Sequence, residues 1–263
     1  MSLPALPLVQ GAVLALAPRL DNGLTAELMN QICGLARGDL SQDQVNQFLA
    51  DRRLDAAPGQ DRNPALVLLK NGDRAGQATL CAAYLAGSVF STADLQPFLE
   101  ASAGTTHAAD GKANQPEATA SQDSVTMLLS VRLAVARANA DVFALIASEM
   151  QRRPGLTPLE VREQVQQLFS RLAPTYLARI RARFQAPGTV LQQIRLDKET
   201  LVFSSSDGAD FVLERGQLRL RQDGVMIYGD GRLHGLIRTL QVAYFDAQAA
   251  ALLTSSDMAV PDN

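Results

Sequence analysis

Leu156-Thr-Pro-Leu-Glu-Val-Arg-Glu-Gln-Val-Gln-Gln-Leu-Phe-Ser-Arg-Leu-Ala-Pro-Thr-Tyr-Leu-Ala-Arg-Ile-Arg-Ala-Arg-Phe-Gln-Ala-Pro-Gly188 is the stretch on which the reading of this chain turns. Thr157 as N-cap, Pro158 at the first helical position and Glu160 at the third spell a capping box, with Leu156 and Val161 placed as its hydrophobic staple. Val165, Leu168, Phe169 and Leu172 continue at helical spacing and give the helix one apolar stripe. Pro174 has no N–H to donate, so a kink or break is expected there, with helix resuming through Tyr176, Ile180 and Phe184. Ala186-Pro187-Gly188 stops it.

Beyond Thr189 the period changes from helical to two. Segments 189–196, 200–206, 209–214, 217–222 and 225–229 are short and separated by turn signals, among them Asp207-Gly208 and Asp223-Gly224, which suit tight hairpins. Leu218 and Leu220 alternate with Gln217, Arg219 and Arg221, as on a half-exposed strand. The expected fold class is therefore α+β: mainly α-helical, with helical hairpins and a long central helix, and a small antiparallel β-meander in the C-terminal third. The 233–254 stretch fits two periods. Leu233, Leu236, Ile237, Leu240 and Tyr244 make a helical stripe, Leu240, Val242 and Tyr244 a strand; the run Ala247 to Leu253 favours helix.

Upstream, a cap at Ser121 or Asp123 predicts a helix to about Gln151, ended by Pro154-Gly155. Its apolar residues, Val125 to Met150, cover more than one side, which suits a central position. The stretch 103–122 holds no Leu, Ile, Val, Phe, Tyr or Met. It cannot bury enough apolar area to offset chain entropy and reads as a disordered linker. The expected order is a helical region over 1–102, the linker 103–122, long helices with the meander and a C-terminal helix over 123–256, and a frayed tail over 257–263.

The 1–102 region repeats itself at an offset of 50 residues. Leu35-Ala36-Arg37-Gly38-Asp39-Leu40-Ser41 with Val45, Phe48 and Leu49 matches Leu85-Ala86-Gly87-Ser88-Val89-Phe90-Ser91 with Leu95, Phe98 and Leu99. Each copy reads as helix, glycine turn and second helix, capped by Ser41 and by Ser91. Two copies are too few for a solenoid, and a pair of packed helical hairpins is expected.

Composition narrows the function classes. The chain has 263 residues, 47% hydrophobic and 19% charged, with a formal net charge of −3. That suits one or two globular cores and names no partner. The longest apolar stretch carries Arg132, Arg137, Asp141 and Glu149, so no membrane span is expected. The N-terminal segment lacks a basic start and is broken by Pro4 and Pro7, which argues against a signal peptide; cytoplasmic localisation is expected, with export by a signal-peptide-independent secretion system as the other route. Arginine outnumbers lysine 21 to three, a bias of GC-rich bacterial genomes. Cys33 and Cys81 sit in Ala-rich helical contexts outside any Cys-x-x-Cys pair and read as small buried apolar residues rather than as a disulfide.

No motif for bond-making chemistry stands out. The histidines are His107 and His234, far from the cysteines, so no metal site and no cofactor are expected. Asp39 to Asp43 lacks the glycine and terminal glutamate of a calcium loop and reads as a helix cap. Ser204-Ser205-Ser206 has no nucleophile elbow around it. Gly229-Asp230-Gly231-Arg232-Leu233-His234-Gly235 imitates a dinucleotide loop, but its surroundings are hairpins. If the protein were an enzyme or a secreted toxin, His234, Asp230 and Arg232 would form the dispersed site.

Charge is the remaining signal. Net charge is −5 over 1–124, +6 over 125–196 and −4 over 197–263. Residues 164–196 contain no acid. Arg171, Arg179, Arg181 and Arg183 are the expected partner-binding residues; Arg179 and Arg183 are one turn apart, and Arg181 points elsewhere. The functional expectation is a non-enzymatic bacterial interaction protein (adaptor, regulator, chaperone-like or secretion-associated component) that binds an acidic or apolar surface of another protein. Nucleic-acid binding through the Arg-rich 164–196 stretch is the other reading, although lysines and interleaved aromatics are few.

Overall fold

The structure is a computed structural model. It describes the backbone of 6–18, 23–54, 63–88, 116–185, 191–196, 200–205, 210–214, 217–222, 225–230 and 233–257, and side-chain burial for 6–18, 27–54, 63–88, 132–182 and 240–252. The helices are α1 (Leu6–Leu14), α2 (Gly23–Arg37), α3 (Gln42–Asp51), α4 (Pro64–Asn71), α5 (Arg74–Ser88), α6 (Pro116–Gln151), α7 (Pro158–Gln185) and, after the strands, α8 (Leu233–Asp257).

The expected α+β class is corrected: the fold is all-α. Among the residues whose burial is described none lies in a strand, and every buried apolar residue except Leu54 belongs to a helix. Between α7 and α8 the backbone pairs as five short strands: β1 (Leu191–Leu196), β2 (Thr200–Ser205), β3 (Asp210–Glu214), β4 (Gln217–Gln222) and β5 (Val225–Asp230). Each is antiparallel to the next. Local pairing of this kind does not set a fold class. The class follows from which elements bury apolar surface against each other, and in the described core the helices do so among themselves.

The chain divides into two compact units that alternate along the sequence rather than following one another. One comprises 1–87, 141–179 and 245–263, the other 88–140 and 180–244.

In the first unit, α2 ends as the glycine turn predicts. Gly38 takes φ 76°. Its N–H donates to the Leu35 carbonyl at 3.0 Å while the Asp39 N–H donates to the Gly34 carbonyl at 2.8 Å, a Schellman closure that satisfies the last carbonyls of the helix. Leu40 then folds back over Gly34, where a Cβ would collide with it. Ser41 opens α3 with a full capping box, the Gln44 N–H donating to Ser41 Oγ and the Ser41 N–H to Gln44 Oε1. Val45 and Leu49 are buried; Phe48, the third residue of the predicted stripe, lies under the Arg52 guanidinium, 5.9 Å from the ring centre. Ser41→Ala is expected to cost about 1 kcal/mol, read as a lowered urea midpoint with an unchanged slope. Of the matching second copy, Leu85 to Ser88 end α5, and Val89 to Leu99 lie outside the described residues.

Two amide side chains stitch the neighbouring helices. Gln77 on α5, 2% exposed, donates to the Leu68 carbonyl of α4 at 2.9 Å, and Gln42 on α3 donates to the Leu69 carbonyl at 3.2 Å. The reading of Cys33 and Cys81 as unbonded apolar residues is corrected as well. They form a disulfide between α2 and α5. Both lie in the core as expected, at 5% and 0% exposure.

The α7 capping box is present. The Thr157 N–H and hydroxyl donate to Glu160 Oε2 at 2.8 and 2.7 Å, and the Glu160 N–H donates to Thr157 Oγ1. These bonds hold the Glu160 carboxyl below its ordinary range. Of the kink or break expected at Pro174, the break does not occur: α7 runs through it. Pro174 is exposed, while Phe169, Ala173, Tyr176, Leu177 and Ile180 stay buried on the other side. Burial outweighs one missing hydrogen bond.

The second unit holds the first part of α6, where Leu133, Ala134, Val135, Ala136, Ala138, Asn139 and Ala140 are all buried. That breadth agrees with a helix apolar on several faces. Inside it, the Asn139 amide donates to Gln241 Oε1 of α8 at 3.0 Å, and Arg137 lies 4.2 Å from the centre of the Tyr244 ring. Helix α6 begins at Pro116, inside the 103–122 stretch read as linker; 103–115 lie outside the described residues. The 233–254 stretch is helical. Leu240, Gln241, Tyr244, Phe245 and Ala249 are buried whereas Val242 is 42% exposed, the reverse of what strand alternation demands. Among the described residues no helix is long and apolar enough to cross a membrane.

Candidate functional site

Helix α7 carries the residues that the charge pattern singled out, and its two sides differ. Taking 100° per residue, Val165, Phe169, Ala173, Tyr176 and Ile180 fall on the buried side, and Gln164, Gln167, Arg171 and Thr175 on the outer side. Arg171 is exposed. Arg179 sits on the flank, with Nη1 3.4 Å from Asp141 Oδ2 of α6, and Asp141 is mostly buried. Arg181 is exposed. The side chain of Arg183 lies outside the described residues. Arg179 is thus engaged with Asp141 within the fold, and Arg171 stands on the outer side.

Around Arg171 the surface is concave. A shallow groove of about 740 Å³ is lined by Arg153, Glu163, Gln164, Gln166, Gln167, Ser170 and Arg171. Its construction is local. Arg153 belongs to the turn that Pro154-Gly155 makes between α6 and α7, with Gly155 at φ 91°, a conformation glycine adopts without strain. The turn brings the Arg153 guanidinium to Gln164 Oε1 at 2.6 Å. On the far wall, Gln166 donates to the Ala12 carbonyl of α1 at 3.1 Å, and Ser170 Oγ donates to the Gln166 carbonyl at 2.9 Å. Two guanidiniums, the amides of three glutamines and one carboxylate thus line a polar trough. Its side chains are rich in N–H donors.

Chemically the groove can bind and orient. The Ser170 proton is committed to a backbone carbonyl, and no histidine lines the trough. Among the described residues no cluster of three His, Cys, Asp or Glu side chains could hold a metal ion. Both cysteine sulfurs are consumed by the disulfide.

Comparison with protein-family models, with curated proteins and with solved structures gave no match. Any functional reading rests on this chain's own residues.

Of the residues of the dispersed-site alternative only backbone positions are described. Asp230 closes β5, its backbone opposite Gln217, and His234 is the second residue of α8. Arg232 and the side chains of Asp230 and His234 lie outside the described residues. Sequence reasoning passed over Arg153, Gln164, Gln167 and Ser170. A signal was there: Gln164, Gln167 and Arg171 recur at i, i+3 and i+7, an amide-and-guanidinium stripe opposite the apolar one. Arg153 carries no such mark, because a turn places it.

Beneath the groove helix, Tyr176 is fully buried, and desolvation pushes its phenol well above the usual value. The folded state therefore favours the neutral phenol. Its contribution to stability is complete below the unfolded phenol's value of about 10 and is lost as pH rises above it. In an alkaline titration followed by tyrosinate absorbance and helical circular dichroism, Tyr176 should ionise only as helicity collapses. Ionisation of all four tyrosines before any loss of helix would contradict its burial.

Proposed function

We propose that this chain is a non-enzymatic interaction protein that receives an acidic segment of another protein along the outer side of α7. The supporting observation is the groove itself, where Arg153 and Arg171 face an open trough of amide and hydroxyl groups in place of converging catalytic groups. A planar guanidinium suits bidentate recognition of carboxylates, and the glutamine amides supply neutral donors for backbone carbonyls alongside. Contacts of this kind steer an encounter and set its salt dependence. The groove holds neither lysine nor aromatic residues, which makes it a poor platform for stacked bases.

The test places a photo-crosslinking residue at Gln167 and compares the unaltered protein with Arg153→Glu/Arg171→Glu in the bacterial host. A discrete protein adduct is expected. It should fall about tenfold in the double variant, as expected when like charges are brought together. It should persist in Arg74→Glu, which reverses an exposed charge on α5. An adduct indifferent to the double reversal would sink the reading. A shift with DNA or RNA at low salt that the same reversal abolishes would replace it with the nucleic-acid one.

A further inference from the structure

We infer that Cys33–Cys81 is a permanent structural bond made as the chain folds, and that this protein completes its fold in an oxidising compartment, outside a reducing cytoplasm. Three observations lead there. The two cysteines are the only ones in the chain, and they meet across 48 residues of sequence. No third thiol exists to exchange with them, so the chain carries no partner for a redox switch of its own. Their exposures of 5% and 0% put both sulfurs out of reach of an oxidant or a reductant once the helices have closed. On the α5 side the bond sits among small residues. Those that α5 buries fully are Gln77, Ala78, Cys81, Ala82, Ala83 and Ala86, mostly methyl-sized. A helix that packs through side chains so small gains most from a covalent tie to its neighbour. The bond also joins the two lead helices of the internally repeated 1–102 region, fixing one copy to the other.

Burial sets the order of events: oxidation precedes or accompanies closure of α2 on α5. The chemistry is thiol–disulfide exchange with the disulfide of a thiol oxidoreductase. One cysteine thiolate attacks a sulfur of the oxidant's disulfide, forming a mixed disulfide and releasing the oxidant's second sulfur as a thiol. The other cysteine thiolate then displaces the first oxidant sulfur. Two electrons and two protons leave this chain, and the oxidant departs as a dithiol. Such oxidants act where disulfides persist, which in bacteria means the periplasm and beyond.

The experiment follows the full chain in its bacterial host. Cells are fractionated under N-ethylmaleimide and denatured with more of it to block every free thiol, then reduced and labelled with a maleimide polymer that adds visible mass per newly exposed thiol. The expected result is two polymer adducts per chain, with the chain outside the cytosolic fraction. In a host lacking its thiol oxidase, the amount of folded chain should fall several-fold through proteolysis of unclosed molecules. Chains with no polymer adduct would overturn the bond. Doubly labelled chains confined to the cytosolic fraction, or an unchanged level without the oxidase, would overturn the compartment.

Discussion

Replacing Cys33 and Cys81 together by alanine is expected to lower the stability of the unit they cross-link by about 4 kcal/mol. The magnitude follows from the loop that the bond closes. A cross-link spanning 48 residues removes loop-closure entropy from the unfolded chain, and the chain-entropy relation places such a loop near the upper end of the usual 2–4 kcal/mol. At about 2–4 °C per kcal/mol for a domain of this size, the melting temperature should drop by roughly 10 °C. The urea slope should rise as well, because the uncross-linked chain exposes more surface when it unfolds. Alanine is the informative substitution, since it leaves an apolar side chain where the sulfur was. Serine at both positions buries two hydroxyls at sites 5% and 0% exposed and should cost more. If the alanine pair and the oxidised protein melted together, the bond would carry no stability.

What the sequence showed and what it hid divide along a physical line. The Ser41 and Thr157 capping boxes, the Gly38 turn and the buried stripe of α7 were legible because each is decided within a few residues of itself. The disulfide was not. Nothing local to Cys33 or Cys81 distinguishes a bonded from an unbonded buried cysteine, and only the approach of α2 to α5 does so. At Pro174 a strong local rule predicts a kink or a break, and the burial of Phe169, Ala173, Tyr176 and Ile180 keeps the helix continuous. The fold class failed at the same level. Alternation at Gln217 to Gln222 and the Asp-Gly turns identify strand-forming segments, but whether a sheet or a set of helices owns the core depends on contacts that no window contains.

The candidate site followed the same division. That Gln164, Gln167 and Arg171 share one side of α7 could be read from spacing alone. That Arg179 belongs to Asp141 and that Arg153 reaches the groove through the Gly155 turn could not, because each depends on how α6 and α7 are set against each other.

The second large effect lies under that groove. Phe169 is fully buried, its ring centre 6.3 Å from that of Phe143 on α6 and 5.8 Å from that of Tyr176 two turns further along α7. The interplanar angles, 58° and 61°, bring ring edges towards ring faces, an arrangement that adds to simple burial. Phe169→Ala removes a full aromatic ring from a place its neighbours cannot fill, since Tyr176 and Phe143 are themselves 0% exposed. A loss of about 3–5 kcal/mol is expected, comparable with breaking the disulfide, and a melting temperature lower by roughly 10 °C. Phe169→Leu should fall between, keeping apolar contact and losing the ring edges. Leu159→Ala on the same helix is the control, because Leu159 is 65% exposed and its truncation should stay within about 0.5 kcal/mol. The two large effects should also be additive, since the bond joins α2 to α5 and the ring cluster joins α6 to α7 with no shared side chain. A Phe169→Ala protein as stable as the Leu159→Ala one would mean that these rings do not form the core of this helix pair, and the groove above them would lose its rigid floor.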